Sequence, residues 1–395
     1  MGSSEPWRSV LMICGEYMED YEAIVPFHAL QSYGVRVHCV APGRLPGDSL
    51  ITAVHEFTTY ELYTETEGHH FTLNADFSAT RSDAYDALVI PGGRFTEPLA
   101  SDPRALALAS EFARAAKPVV VTCHSQVVLA AAGVLKGGTR CTAFPSLKRV
   151  VGLAGGVWVE PSPVSLCVSD RRVISAIGWP AHVNVLRELV GSIGGRVVGG
   201  ADKKAVLFLV GDYVEDYEAN VPFQAVGGLG CTADAACPSK GKGGRCITAV
   251  HDIDVGGDPR KVCAERHGHY FSITKDWGDV RVLDYDALVV PGGRSPELLV
   301  GHDEVVRLAR EFSENGKVVA GIGQGLLVLA AAGLLEGKKC ASNLAMKPIV
   351  KLAGGEVVEP AESFTDAKLL TATGWPVLPR FLADLFDLLE LRVAF

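Results

Sequence analysis

Residues 117–135 read KPVVVTCHSQVVLAAAGVL, which places Cys123 and His124 between a β-branched run and a helical pattern. A sharp strand-to-helix turn of this kind thrusts a nucleophile into a site. The unpaired N–H groups of a helix N-terminus are expected to lower the thiol pKa, and His124 beside it can exchange protons. The alternative is one more small buried hydrophobe in a chain with ten cysteines. VIPGGR (89–94) puts Gly92 and Gly93 at a strand end, either as a tight turn or as a loop whose N–H groups face a carbonyl oxygen like an oxyanion hole. GEYMEDYE (15–22) sets Glu16, Glu19, Asp20 and Glu22 at the start of a helix, where acidic residues complement the dipole and mostly face solvent. One carboxyl turned inward towards Cys123 would be a general acid or base, its pKa raised by burial, and spacing does not choose which.

The histidines are read more plainly. His55 recurs as His251, and GHH (68–70) as GHY (268–270), with no second ligand at helical or hairpin spacing. They are expected to be hydrogen-bonded structural or rim residues, and no metal site is expected. His182 in GWPAH stands where the later copy has Leu378, so it is expected to line a site in the first copy alone.

These residues must be positioned by a fold, and the chain states that fold twice. GEYMEDYEAIVPF (15–27) returns as GDYVEDYEANVPF (211–223), YDALVIPGGR (85–94) as YDALVVPGGR (285–294), and LAAAGVLKG (129–137) as LAAAGLLEG (329–337). The period of nearly 200 residues is that of a duplicated domain, far longer than a solenoid repeat. Domains over 1–200 and 201–395 follow, with the junction at Gly200. Within each, short apolar runs such as SVLMICG alternate with amphipathic stretches such as DPRALALASEFARAAK, opened by Asp102 and Pro103. That alternation specifies an α/β doubly wound, flavodoxin-like parallel sheet, with sites beyond the carboxyl ends of the strands.

Composition narrows the partners. A chain of 395 residues with a formal charge of -9 is a poor match for nucleic acid, which needs concentrated Lys and Arg. No apolar run is long enough for a membrane span. The start MGSSEP lacks a secretory core and has Pro6 where a myristoylation pattern after Gly2 wants Ser or Thr. A cytoplasmic location is expected, with the nucleus also open to such a protein. The cysteines sit mostly in apolar strand-like runs, as reduced thiols do.

The Glu-bearing turn, the PGGR loop and the strand–Cys–His–helix elbow together resemble the DJ-1/ThiJ/PfpI superfamily, relatives by fold of class I glutamine amidotransferases. The tandem arrangement is similar to the two-domain members typical of plants, described as glutathione-independent glyoxalases (glyoxalase III). The resemblance implies Cys123 as nucleophile, His124 as the adjacent histidine, Glu22 as the thiol's carboxyl partner with Glu19 as its substitute, and Glu97 as a further acidic residue near the site. It implies a small dicarbonyl substrate such as methylglyoxal, turned over through a hemithioacetal without cofactor, with N–H groups around Gly93 and His124 holding the oxyanion. Redox sensing or chaperone action through Cys123, and hydrolysis or deglycation, are the competing activities. It also implies an intramolecular pseudo-dimer, with homo-oligomers open.

Two departures from the family pattern bear on activity. The elbow usually reads Cys-His-Gly, and here Ser125 follows His124; if that position needs positive φ or close backbone approach, serine strains it. The second copy has Gly323-Gln324 in place of Cys123-His124, so it has no thiol to form the adduct and is expected to be a degenerate copy.

Overall fold

The computed structural model describes residues 7–59, 62–199, 203–251 and 265–395. Gly200, the expected junction, lies outside them, as do Gly2 and Pro6. The chain divides into two compact units, 1–196 with 393–395, and 197–392.

The first unit is built on β1 (Ser9–Ile13), α1 (Asp20–Ser32), β2 (Arg36–Val40), the hairpin β3 (Ser49–Thr59) and β4 (Leu62–Thr72), and β5 (Ala87–Ile90). Next come α2 (Thr96–Leu99), α3 (Pro103–Arg114), β6 (Val119–Thr122), α4 (Gln126–Ala131), β7 (Arg140–Cys141), α5 (Lys148–Leu153) and β8 (Val157–Trp158). The unit closes with β9 (Cys167–Asp170), β10 (Val173–Ala176) and α6 (His182–Ser192). The sheet order is β2-β1-β5-β6-β10-β9, parallel throughout except for antiparallel β9. Val10–Ile13, Leu88–Ile90 and Val119–Val121 are all buried, as the wholly apolar runs require of strands covered on both faces. From β1 the chain crosses to one side, to β2, and from β5 to the other, to β6. Right-handed crossovers then put α1 and α3 on opposite faces. α1 packs with α6, and α3 with α4.

The order reverses beside β1 and β5, and a doubly wound sheet forms its crevice outside the carboxyl ends at such a point. Cys14–Glu22 follow β1, Pro91–Arg94 follow β5, and Cys123 follows β6. The expected helix signals hold: Asp102 Oδ1 accepts from the Ala105 amide at 2.8 Å, and Gly34 beyond α1 has φ +86°.

The second unit repeats the sheet: Thr232–Ala236, Ala205–Leu209, Ala287–Val290, Val318–Ile322 and Leu369–Ala372 in parallel, then antiparallel Ser363–Asp366. Among the described residues no helix is long and apolar enough to cross a membrane.

Candidate active site around Cys123

Cys123 has φ +53°, a conformation unusual for a residue with a side chain, and it opens a 3₁₀ turn (Cys123–Ser125) between β6 and α4. The left-handed φ in the elbow falls on the cysteine and not on Ser125, so the positive-φ half of the expectation does not hold. Ser125 has φ −65° and is fully buried, with Oγ accepting from the Thr122 amide at 2.8 Å and donating to the Thr122 carbonyl at 2.7 Å. Through these two hydrogen bonds the serine locks the turn. Ser125→Gly is expected to lower the unfolding free energy by about 1–2 kcal/mol in urea denaturation, while turnover stays within about threefold.

The thiol is only 3% exposed and packs on Phe144, Ile177 and the partly buried Val164. Burial pushes it well above the ordinary thiol range, and the charges of Glu22 and Glu19 add to the push. The backbone amides of His124 and Gly93 reach the sulfur and pull the other way without prevailing. The expected low-pKa thiol is thus overturned: α4 has only six residues, and desolvation outweighs its end.

The acidic run is also far less exposed than expected. Glu19, Asp20 and Glu22 are all buried, and Glu16 alone reaches solvent, paired with Arg44 at 2.7 Å. Glu19 caps α1 through the Glu22 amide at 2.6 Å. Asp20 accepts from the hydroxyl of Thr52 on β3, and lies 2.8 Å from Nδ1 of His69 on β4. Glu22 is the carboxyl that turns towards the elbow. Its Oε2 accepts from the Gly92 amide at 2.7 Å and from the Thr122 hydroxyl. Its Oε1 has no hydrogen-bond partner. Burial, reinforced by the Glu19 charge, raises its pKa to about 8; Thr122, Gly92 and the Trp179 backbone temper the rise.

Gly92 and Gly93 make this closeness possible. A Cβ on Gly92 would lie 2.6 Å from both Cys123 Cβ and Glu22 Oε2, so the loop backbone fills the space between acid and thiol. Gly93 has φ +105°, and a Cβ there would meet the Tyr17 carbonyl at 2.4 Å. The Glu19 amide donates to the Gly92 carbonyl at 2.9 Å, pinning the two loops together. Gly92→Ala is expected to reduce turnover by about 10²-fold with the circular-dichroism spectrum retained, because a forced shift of this order misplaces the reacting groups.

His124 Nδ1 is 3.2 Å from the sulfur, and its ring stacks on Phe144 with centroids 5.2 Å apart. Burial lowers its pKa, partly offset by the Glu97 charge and reinforced by Arg94, so the imidazole is neutral near pH 7. With the proton on Nε2, facing Ser146 Oγ at 3.4 Å, the Nδ1 lone pair faces the thiol. Glu97 itself is exposed on α2 and acts on the site only through its charge. His182 is buried at the first position of α6, a helix packed on α1, β9 and β10; the apolar side chains packed on Cys123 are Phe144, Ile177 and Val164. Phe144 and Ile177 were missed by sequence reasoning, because only the fold brings them to residue 123. The histidines expected to be structural are hydrogen-bonded, with His55 Nε2 2.9 Å from Glu65, which also pairs with Arg94.

The second unit keeps the frame. Gly323 has φ +52°, matching Cys123, and Glu218 Oε2 accepts from the Gly292 amide at 2.7 Å with its pKa pushed well up by burial. A Cβ on Gly323 would lie 3.4 Å from Glu218 Oε1 and 3.6 Å from Asn343 Nδ2, the residue aligned with Phe144. The elbow persists without sulfur, and its apolar wall has become polar.

The DJ-1/PfpI family profile matches residues 8–192 and again 204–388, which together are nearly the whole chain. The chain belongs to the DJ-1/PfpI family. It is 49% identical over 395 residues to DJ-1 protein homolog E of Arabidopsis thaliana, covering 98% of each chain. It is 45% identical to protein DJ-1 homolog D of the same plant, over 98% of this chain and 99% of that one. Deglycase PfpI of Pyrococcus furiosus is 28% identical over 172 residues, 43% of this chain and 93% of its own. Among solved structures, Drosophila melanogaster DJ-1beta aligns at 20% identity with a TM-score of 0.39, over 48% of this chain and 92% of that one. The tandem DJ-1/PfpI architecture is thus shared along its full length with the Arabidopsis proteins.

Proposed function

We propose that the first unit is a glutathione-independent glyoxalase that converts small 2-oxoaldehydes such as methylglyoxal to 2-hydroxy acids. The observation that carries this reading is a buried thiol set between two groups with opposed pKa shifts: Glu22 protonated up to about 8, and His124 neutral. Environments that push two titratable groups apart assign the acid and the base.

His124 Nδ1 takes the thiol proton as Sγ attacks the aldehyde carbon, and the oxygen that becomes negative faces the Gly93 and His124 amides. Proton return to that oxygen gives a neutral hemithioacetal. Removal of the carbon-bound proton and protonation of the adjacent carbonyl oxygen give an enediol, for which Glu22 Oε1 is the proton source. Reprotonation at the second carbon, with loss of the hydroxyl proton on the first, leaves a thioester, and water cleaves it to the hydroxy acid and the free thiol. The thiol supplies the sulfur that glutathione supplies elsewhere, and the apolar wall of Phe144, Ile177 and Val164 suits a small alkyl substituent.

Deglycation is the second reading, supported by the name of the Pyrococcus relative. Both use the same sulfur, so the test compares lactate formed from free methylglyoxal, without glutathione, with release from a preformed hemithioacetal or aminocarbinol adduct. Faster turnover of the free dicarbonyl supports the glyoxalase, and turnover of the adduct alone overturns it. Redox sensing at Cys123 fits poorly, because the thiol is buried and held protonated.

A further inference from the structure

The second unit lacks the nucleophile but keeps the groups that surround it in the first. Glu218 is buried, and its Oε2 is fixed by the Gly292 amide at 2.7 Å. Gly323 has φ +52° and Gly293 φ +75°, as Cys123 and Gly93 are also left-handed. In the first unit this backbone brings the His124 and Gly93 amides to the sulfur, so here the Gln324 and Gly293 amides take those places. The loops approach as closely as before: a Cβ on Gly292 would lie 3.0 Å from the Gln324 nitrogen and 2.6 Å from Glu218 Oε2.

The lining is what differs. Cys123, Phe144 and Ile177 correspond to Gly323, Asn343 and Thr373, and His124 to Gln324. The stacked ring pair of the first unit is therefore replaced by two carboxamides. Asn343 has a fixed orientation, because its Oδ1 accepts from the Met346 amide at 3.0 Å, just before the helix Lys347–Leu352. That bond leaves Nδ2 facing the elbow, 3.6 Å from where a Cβ on residue 323 would stand; both Glu218 oxygens border the same point, at 3.4 and 3.5 Å. Cys to Gly, Phe to Asn and Ile to Thr together remove about six side-chain heavy atoms from the wall, room on the scale of a three-carbon acid.

The groups gathered here are mainly donors. Burial and the Glu215 charge push the Glu218 carboxyl well above its usual range, so it joins the Asn343 N–H₂ and the two backbone amides in offering a proton. Such a set suits an anionic oxygen, as in an oxyanion hole, but without sulfur to build that oxygen the guest must bring its own charge.

We propose that the second elbow is a noncovalent binding site for a small carboxylate, the size of a three-carbon 2-hydroxy or 2-oxo acid, held by Asn343 Nδ2, the Gln324 and Gly293 amides and the Glu218 carboxyl. The half-buried Thr373 hydroxyl stands where a polar 2-substituent can meet it, in place of the apolar Ile177. The duplication then yields one elbow that makes a bond to its guest and one that only holds it. This needs no turnover at Cys123 and does not rest on the glyoxalase reading.

The test titrates [13C]lactate into the full-length chain and follows line broadening and isothermal heat. Saturable binding with a Kd of about 1 mM or tighter is expected. Asn343→Asp keeps an oxygen to accept from the Met346 amide but sets negative charge where Nδ2 donates, and affinity is expected to fall at least about tenfold. Asn343→Phe installs the residue that the first unit folds around, and the same loss is expected with the near-UV circular-dichroism spectrum retained. Lactamide, of equal size but uncharged, is expected to bind at least about tenfold more weakly than lactate. Lactate held at the first elbow would be untouched by either substitution. Absence of saturable binding, affinity that survives either substitution, or equal binding of lactamide overturns the proposal.

Discussion

Lactate formation from methylglyoxal without glutathione is expected to fall by roughly 10³-fold or more in Cys123→Ser, with the folded chain intact. Serine replaces sulfur almost isosterically, so the packing on Phe144, Ile177 and Val164 survives, as near-UV circular dichroism will report. What is lost is nucleophilicity, since a hydroxyl ionises far less readily than a thiol in the same apolar surroundings. The amides of His124 and Gly93 remain aimed at the site, but they stabilise an oxyanion that no longer forms. The second unit offers no rescue, because residue 323 is glycine and Cys340 aligns with Cys141 on β7, away from the elbow. Equal rates in wild type and variant, or no turnover in either, would overturn the glyoxalase reading.

Where the sequence spoke clearly, the signal was local. A β-branched run, a cysteine and a helical pattern within a dozen residues specify an elbow, and the Gly92-Gly93 pair after Ile90 specifies a loop that another backbone approaches. Both are found, and the duplicated order of motifs carries over to two sheets of the same topology. The signal failed where long-range partners decide. Spacing alone did not single out Glu22 within the acidic run, and only the family resemblance named it; its Oε2 is filled by the Gly92 amide, 70 positions away, and the Thr122 hydroxyl, 100 away. Asp20 is buried by a hairpin whose strands read as mixed Thr, Glu and His without clean alternation, so nothing in the local pattern announced Ser49–Thr72 as two paired strands. The helix-end rule for thiols runs against the direction at Cys123, because it counts one short helix and omits burial of the sulfur and, after it, two buried carboxyls.

Glu22→Gln is expected to lower kcat about 10²–10³-fold and to remove an alkaline limb from the pH profile. Which oxygen carries the proton decides the outcome. Oε2 already accepts from the Gly92 amide and the Thr122 hydroxyl, so the acid proton belongs on Oε1, which has no hydrogen-bond partner and is free to donate to a substrate oxygen. Glutamine preserves the acceptor at the first position and puts an amide N–H₂ at the second, which donates a hydrogen bond but cannot give up a proton at this pH. The wild-type kcat/KM is therefore expected to fall as pH rises through about 8, where Glu22 loses its proton, and the residual activity of the variant to show no step there. Activity that instead rises through this range would make Glu22 a base in the rate-limiting step. Stability provides an independent reading with a definite sign. Between about 4.5 and about 8 the unfolded chain has released this proton while the folded chain retains it, so the native state weakens with each unit of rising pH by up to about 1.4 kcal/mol. Below about 4.5 both states hold the proton, and above about 8 both have lost it, so the slope belongs to that window alone. Glu22→Gln carries no such proton and is expected to flatten the slope, which identifies Glu22 as the group that titrates there.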